Sequence, residues 1–317
     1  MKKILILNNK EKPCGIQQYG ERIINSLKNS KQFFYFYREI ETEEQAINEI
    51  LYINPSIVLY NYSPGTMPFI TKVLPRKFKD VKHTALIHEG YSYLNNFVEF
   101  TNIIYLQDAM EIAPEFQSSV FSTPVRYLLS YTGEYQENIV PKIGSFGFGF
   151  PRKNFDFIVE KVNNEFDVAN IEFYISNSFH SDPNGDLANK TIEDCYKKIT
   201  KPDIKLFINR NFVSDDELLT FLSSNDINCF FYGAEKTDGI AGSTDLALSV
   251  KRPIAVTKVP MFSHLHSLVP EICIENSSIK EIIKRGIGPL QPIYNAFSED
   301  NFIKVFDDIC ERILNNA

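Results

Sequence analysis

Three groups of residues carry side chains or backbone that could do chemistry. The first lies within Cys229–Pro260, CFFYGAEKTDGIAGSTDLALSVKRPIAVTKVP. Its short apolar, aromatic start reads as a buried strand, and Thr244 to Val250 as a helix closed by Pro253. Between them Asp238, Gly239, Ile240, Ala241, Gly242 and Ser243 make a loop of small residues, followed by Asp245 in the first helical turn. That order aims backbone N–H groups, and roughly half a positive charge from the helix start, at the crevice above a sheet. A phosphate or diphosphate fits there. The second group is Arg152-Lys153, ahead of Asn154-Phe155-Asp156. Cations are disfavoured at a helix start unless an anion is near, and two of them balance a diphosphate. The third is His88-Glu89 after an apolar run, an imidazole beside a carboxylate that could position a hydroxyl. Each has a plainer alternative: an ordinary strand–helix loop, a solvated helix start, a hydrogen-bonded structural histidine. His264 and His266 lie two apart, but no third ligand of suitable spacing is near, so no metal is assigned.

The elements that must position these groups alternate. Ile4–Leu7 reads as a buried strand, and Ile16, Tyr19, Ile23, Ile24 and Leu27 fall at helical spacing after Gly15. Gly20 on that apolar side suits close packing of helix on sheet. Strands are predicted at 33–37, 56–60, 83–88, 102–106 and 125–129, with a helix at 42–52. A polar linker at 131–141 leads to a second series: strands at 142–146, 171–175, 205–208, 227–231 and 272–274, and helices from Phe155, from the capping box Ser214–Glu217, and at 279–284. Residues 180–189, HSDPNGDLAN, read as a turn-rich loop. The final helix carries an apolar face from Phe302 to Leu314 that needs a packed partner. Strands separated by helices mean doubly wound parallel sheets, with ligands beyond the strands' carboxyl ends.

The chain's 317 residues suit two domains of about 150 each. A net charge of −7 argues against a nucleic-acid binder. Five widely spaced cysteines without a CxxC pair argue against zinc or disulfide frameworks and for a reducing cytosol. The N-terminal apolar run ends at Asn8, too short for a signal peptide, and no stretch reaches membrane-spanning length.

The stretch around residue 240 resembles the donor loop of GT-B glycosyltransferases, particularly the large retaining family commonly numbered four. There an acid, a Gly-aromatic-Gly turn and a second acid precede a helix and a Gly-x-Pro strand. Asp238-Gly239-Ile240-Ala241-Gly242 and Asp245 stand at those positions, with Asp for Glu twice and the acids one residue closer. Lys251-Arg252 stands where Cys-Gly is usual. Gly15-Ile16-Gln17-Gln18-Tyr19 resembles the family's first loop, which places Gly15 on the donor. Residues 146–156 resemble the segment whose Arg and Lys clamp the diphosphate; Ser145 replaces that Arg, while Lys153 and Arg152 remain. Residues 209–213 match the loop that meets the base, which assigns Phe212 and Val213 to the donor. His88 and Glu89 fall on the acceptor side, with His88 counted among the catalytic residues.

The resemblance implies an α/β GT-B fold: two Rossmann-like domains, 1–138 and 139–298, facing a cleft, and a helix at 299–317 crossing back to the first. It implies a retaining, metal-independent transferase that moves sugar from a UDP- or GDP-sugar to a hydroxyl of a surface glycan, lipid or glycoconjugate. The nucleotide-sugar is substrate, and no cofactor is implied. The expected location is the cytoplasm, with peripheral contact at the inner membrane face admitted and the oligomeric state left open. Two rivals share the architecture: a nucleotide-sugar 2-epimerase, which would use Glu89, Asp238 or Asp245 as acid and base, and a non-catalytic partner subunit.

A carboxylate beside a diphosphate is repelled by a few kcal/mol at intermediate dielectric, so it must point past the phosphates, where a ribose diol lies. Asp245→Asn is expected to weaken nucleotide binding by about 1–3 kcal/mol and scarcely to alter the affinity for inorganic diphosphate. Calorimetry with both ligands checks this; equal losses, or none, would defeat the ribose assignment.

Overall fold

A computed structural model of the chain describes residues 1–10, 14–88, 100–107, 119–135, 137–179, 181–234 and 239–316. It divides into two compact units, Met1–Tyr127 with Thr237–Ile240 and Ala296–Ala317, and Leu128–Lys236 with Ala241–Asn295.

The first unit is built on β1 (Lys2–Asn9), α1 (Gly15–Leu27), β2 (Phe33–Ile40), α2 (Glu43–Ile53), β3 (Ile57–Tyr62), α3 (Val73–Lys77), β4 (Lys82–Ile87), β5 (Asn102–Tyr105) and β6 (Val120–Ser122). Its strands are parallel in the order β2-β1-β3-β4-β5-β6. Period-two alternation sends β1 and β3 to two cores. Ile4, Ile6, Ile57 and Leu59 join α1 on one face. Leu5, Leu7, Val58 and Tyr60 join α2 and Leu74 on the other. Gly20 of α1 sits where a Cβ would come within 2.7 Å of Asn8 Nδ2 and 2.8 Å of Asn61 Nδ2, so a larger residue would push the helix off the sheet.

The second unit contains β7 (Lys142–Phe148), α4 (Phe155–Glu165), β8 (Ala169–Ser176), α5 (Asp186–Lys197), β9 (Ile204–Asn209), α6 (Asp215–Ser223), β10 (Ile227–Phe230), α7 (Ser243–Ser249) and β11 (Ile254–Val256). Short α8 (Ser263–His266), α9 (Ile279–Arg285) and α10 (Gln291–Ala296) follow. The strands are again parallel, ordered β11-β10-β7-β8-β9. Phe173 and Ile175 of β8 face a core shared with α4, α5 and α9. Tyr174 between them stacks on Phe221 of α6 with centroids 4.1 Å apart. Ser214 and Ser278 each form a capping box at the helix that follows.

Three expectations from the sequence differ from the structure. Residues 125–129 are not a strand: β6 ends at Ser122 before Thr123-Pro124, and the Leu129 amide donates to Ser249 Oγ at 2.8 Å instead. A proline interrupts a ladder because it has no N–H to donate. Residues 186–189 belong to α5 rather than to a loop. The Asp182 carboxylate caps that helix, accepting from the Leu187 and Ala188 amides at 3.1 and 3.0 Å. Residues 272–274 contribute one isolated bridge, Val256 with Cys273, after a 3-10 turn at Pro270–Ile272.

The last helix, α11 (Glu299–Asn315), lays Phe302, Phe306, Ile309 and Ile313 into the same core as α1. Each such side chain contributes about 1.5–3 kcal/mol on burial. In this interface Asp307 accepts from Tyr35 Oη at 2.9 Å and Ser30 Oγ at 2.7 Å. Burial holds its carboxyl above the usual range, against the pull of those two hydrogen bonds. A raised folded pKa means that the contribution is complete below the unfolded value and is lost as pH rises through the folded one. Asp307→Asn cannot titrate, and it turns an amide on Ser30 Oγ, which already accepts from the Gln32 and Phe33 amides. We expect the variant to be less stable by about 1–3 kcal/mol at pH 4, with the gap narrowing towards pH 8. Urea unfolding across that range reads it, and a gap that widens with pH would contradict the assignment.

Candidate functional site

In each sheet the chain reverses its direction of travel beside its first strand. β2 and β3 flank β1, and β8 and β10 flank β7. The crevice outside the carboxyl ends at such a switch point is where open α/β sheets bind ligands.

In the second unit this point lies between the ends of β7 and β10. Gly149 closes β7 where a Cβ would meet the Ala188 Cα at 2.3 Å, so α5 fixes the chain's exit. The 3-10 turn Pro151–Lys153 follows, and Asn154 at φ +49° swings the backbone into α4. The Gly233 amide, beyond β10, donates to the Arg152 carbonyl at 2.8 Å and ties the two loops together. The side chains of Arg152 and Lys153 meet different rings. The Arg152 guanidinium lies 5.5 Å from the Phe150 ring centroid. The Lys153 ammonium donates to the Tyr232 hydroxyl and lies 3.8 Å from that ring's centroid. Tyr232 Oη in turn is 2.7 Å from Ser243 Oγ. Gly147, at φ +147°, borders the lysine: a Cβ there would lie 3.5 Å from its Cε and 3.6 Å from its Nζ.

Of the other residues that the sequence assigns to a donor, Gly239 and Ile240 group with the first unit and those from Ala241 onward with the second. Gly239 has φ +113°, a conformation that favours glycine. The Ala241 amide donates to the Met261 carbonyl at 3.3 Å, so one of the loop amides from 240 to 243 is already committed within the protein. Gly242 and Ser243 open α7, in whose first turn Asp245 is buried. Phe212 is exposed and stacks on Phe148 at 6.3 Å with 19° between planes, and Val213 next to it is half-buried. Asp238 and Glu89 lie outside the described residues.

In the first unit Gly15 begins α1, exposed, with open space where a Cβ would stand. His88 follows β4, and its Nε2 is 2.6 Å from Asn61 Oδ1. The Asn61 amide nitrogen is used twice, donating to Asn8 Oδ1 at 2.7 Å and the Ile16 carbonyl at 2.5 Å. Asn61 Oδ1 must therefore accept, which puts the His88 proton on Nε2 and leaves Nδ1 as the basic nitrogen. Asn8 continues the chain of bonds to Tyr37 Oη, which donates to Glu39 Oε1 at 2.9 Å. Tyr19 meets the His88 ring edge-on at 4.9 Å, and the Arg126 guanidinium lies 4.8 Å from the Tyr19 centroid. Burial, and secondarily the Arg126 charge, lowers the His88 pKa to about 3.

Tyr232, Asn61, Asn8 and Arg126 were not singled out from the sequence. For Tyr232 a signal existed: a phenol ends an otherwise apolar core strand directly before a glycine. The asparagines gave none, since each reads as the polar end of a strand.

No protein-family model and no curated protein matches the chain. Solved structures match it along nearly all of its length. A glycosyltransferase from Rickettsia africae has TM-score 0.64 at 12% identity, covering 100% of this chain and 99% of that one. The N-terminal domain of Candida albicans trehalose-6-phosphate phosphatase has TM-score 0.67 at 10% identity, with 100% and 97% covered. Alr3699/HepE of Anabaena, solved with UDP, has TM-score 0.61 at 10% identity, with 98% and 99% covered. At such identities the likeness is one of fold. The chain has the two parallel-sheet α/β units of the GT-B glycosyltransferases.

A folded pKa near 3 keeps the His88 imidazole neutral, and stability from this residue is lost as pH falls from the ordinary value towards the folded one. In heteronuclear NMR the ring is expected to show the Nε2–H tautomer throughout pH 5–8, and Arg126→Gln to raise its pKa by removing a like charge. A titration of His88 near its ordinary value in the unaltered protein would contradict the geometry.

Proposed function

We propose that the chain is a glycosyltransferase that moves a sugar from a nucleoside-diphosphate sugar to an acceptor hydroxyl. The observation that carries this reading is the Lys153 ammonium at the β7–β10 switch point, set between Gly147 and the Tyr232 ring. A fixed cation in that place suits a diphosphate. HepE, a structural neighbour, was solved with UDP, and another structure of it with UDP and glucose, which supports a nucleotide-sugar donor.

In this reading Lys153 and Arg152 stabilise the leaving diphosphate, as donors aimed where negative charge develops. The bond between the anomeric carbon and the diphosphate oxygen breaks, the acceptor oxygen bonds to that carbon, and the hydroxyl proton passes to the departing phosphate oxygen. Retention of configuration belongs to the proposal, as does independence of a metal, because fixed positive charge does the metal's part. Phe212 offers an exposed ring for a base, and His88, neutral with a basic Nδ1, can accept a hydrogen bond from a sugar or acceptor hydroxyl. The acceptor is proposed to be a glycan, lipid-linked or other hydroxyl compound. No helix among the described residues is long and apolar enough to cross a membrane.

The test is release of nucleotide from a panel of UDP- and GDP-sugars, with and without acceptors, in the presence of a chelator. Acceptor-dependent release is expected for one donor, and Lys153→Ala is expected to lose about 2–4 kcal/mol of transition-state stabilisation. Interconversion of the donor without transfer would favour an epimerase. Unchanged kinetics in a folded Lys153→Ala protein would remove that lysine from the site.

A further inference from the structure

Tyr232 is anchored at three points. Its carbonyl accepts from Thr257 Oγ1 at 2.8 Å, its ring packs 4.9 Å from that of Phe262, and its hydroxyl meets Ser243 Oγ at 2.7 Å. It is buried, at 3% exposure. Lys153, by contrast, is half-buried on a flexible four-carbon stem, and such a side chain loses about 2 kcal/mol of rotamer entropy when it is fixed. The rigid partner therefore sets the place of the mobile one.

We infer that Tyr232 is a positioning residue: its ring and hydroxyl, oriented by Ser243, hold the Lys153 ammonium at the switch point before the diphosphate arrives. The inference rests on the reading of Lys153 as a diphosphate ligand. Donor and acceptor roles agree with it. The ammonium has only protons to give, so Tyr232 Oη accepts from Lys153 and can still donate its own proton to Ser243 Oγ. An ammonium against the face of a phenol ring is also attracted by the ring's quadrupole. The cost of ordering the lysine is then met in folding rather than in binding, which is how preorganisation raises affinity.

Tyr232→Phe keeps the ring and its packing and removes only the hydroxyl. The experiment measures calorimetric affinity for UDP, GDP, inorganic diphosphate and uridine in the unaltered protein, Lys153→Ala, Tyr232→Phe, Ser243→Ala and the Lys153→Ala/Tyr232→Phe pair. It also records the Lys153 ammonium resonance and the Tm of each. For Tyr232→Phe we expect an unchanged Tm, loss of the protected ammonium signal, and about tenfold weaker binding of nucleoside diphosphate and inorganic diphosphate alike. Ser243→Ala should show the same pattern more weakly, and the double variant should bind no more weakly than Lys153→Ala, because Tyr232 acts through the lysine. Full affinity in Tyr232→Phe with a weakened Lys153→Ala overturns the role of Tyr232 and leaves the donor reading standing. Additive losses in the double variant overturn it too. Absence of binding by the unaltered protein, or full affinity in Lys153→Ala, overturns the donor reading itself, and the inference with it.

Discussion

A parallel sheet is stable only when both of its faces are covered, and that requirement shapes this molecule. After every strand the chain must return across one face or the other, so the strand-to-helix loops collect at the carboxyl ends. Where the returns change sides, beside β1 and beside β7, two loops diverge and leave polar backbone and side chains at the sheet's edge. Lys153 and Tyr232 come from the loops on either side of one such point, and Asn8 and Asn61 from the strand ends beside the other. Neither pair is close in sequence, and the topology alone brings each together.

The two points differ in electrostatic character. In the second unit a cation is held against a phenol ring and a chain of hydroxyls, a setting that welcomes negative charge. In the first, a neutral imidazole is fixed in one tautomer by two asparagines, and burial keeps it from taking a proton. One setting suits phosphate oxygens and the other suits hydroxyl groups. That difference supports the proposed donor and acceptor chemistry independently of the fold. A fold shared with chains described as glycosyltransferases and as part of a phosphatase protein does not fix a reaction by itself.

Much of the architecture was legible in the sequence because hydrophobic alternation leaves a local signature. The strand at Ile4–Leu7, the helix from Gly15 and the capping box at Ser214 all lie where pattern and cap residues put them. The failures have equally local causes. Asp182 caps α5 from outside it, across a Pro-Asn-Gly turn, so the helix start read as loop. Val125–Leu129 has strand composition, but Pro124 cuts it from the ladder and Leu129 bonds to a residue 120 positions away. The site divides in the same manner. Lys153 stands out in the sequence, because a cation at a helix start is locally anomalous. Tyr232, which holds it, lies 79 positions further on, and no local pattern links the two.

Lys153 and its neighbours are proposed to bind the diphosphate of a nucleotide-sugar. A crystal structure of the protein with UDP or GDP, grown without divalent metal, tests this most directly. Phosphate oxygens are expected within hydrogen-bonding distance of Lys153 Nζ, outside the carboxyl ends of β7 and β10. A nucleotide bound elsewhere, or a diphosphate that leaves Lys153 on Tyr232 and turns away from it, would remove Lys153 from the donor site.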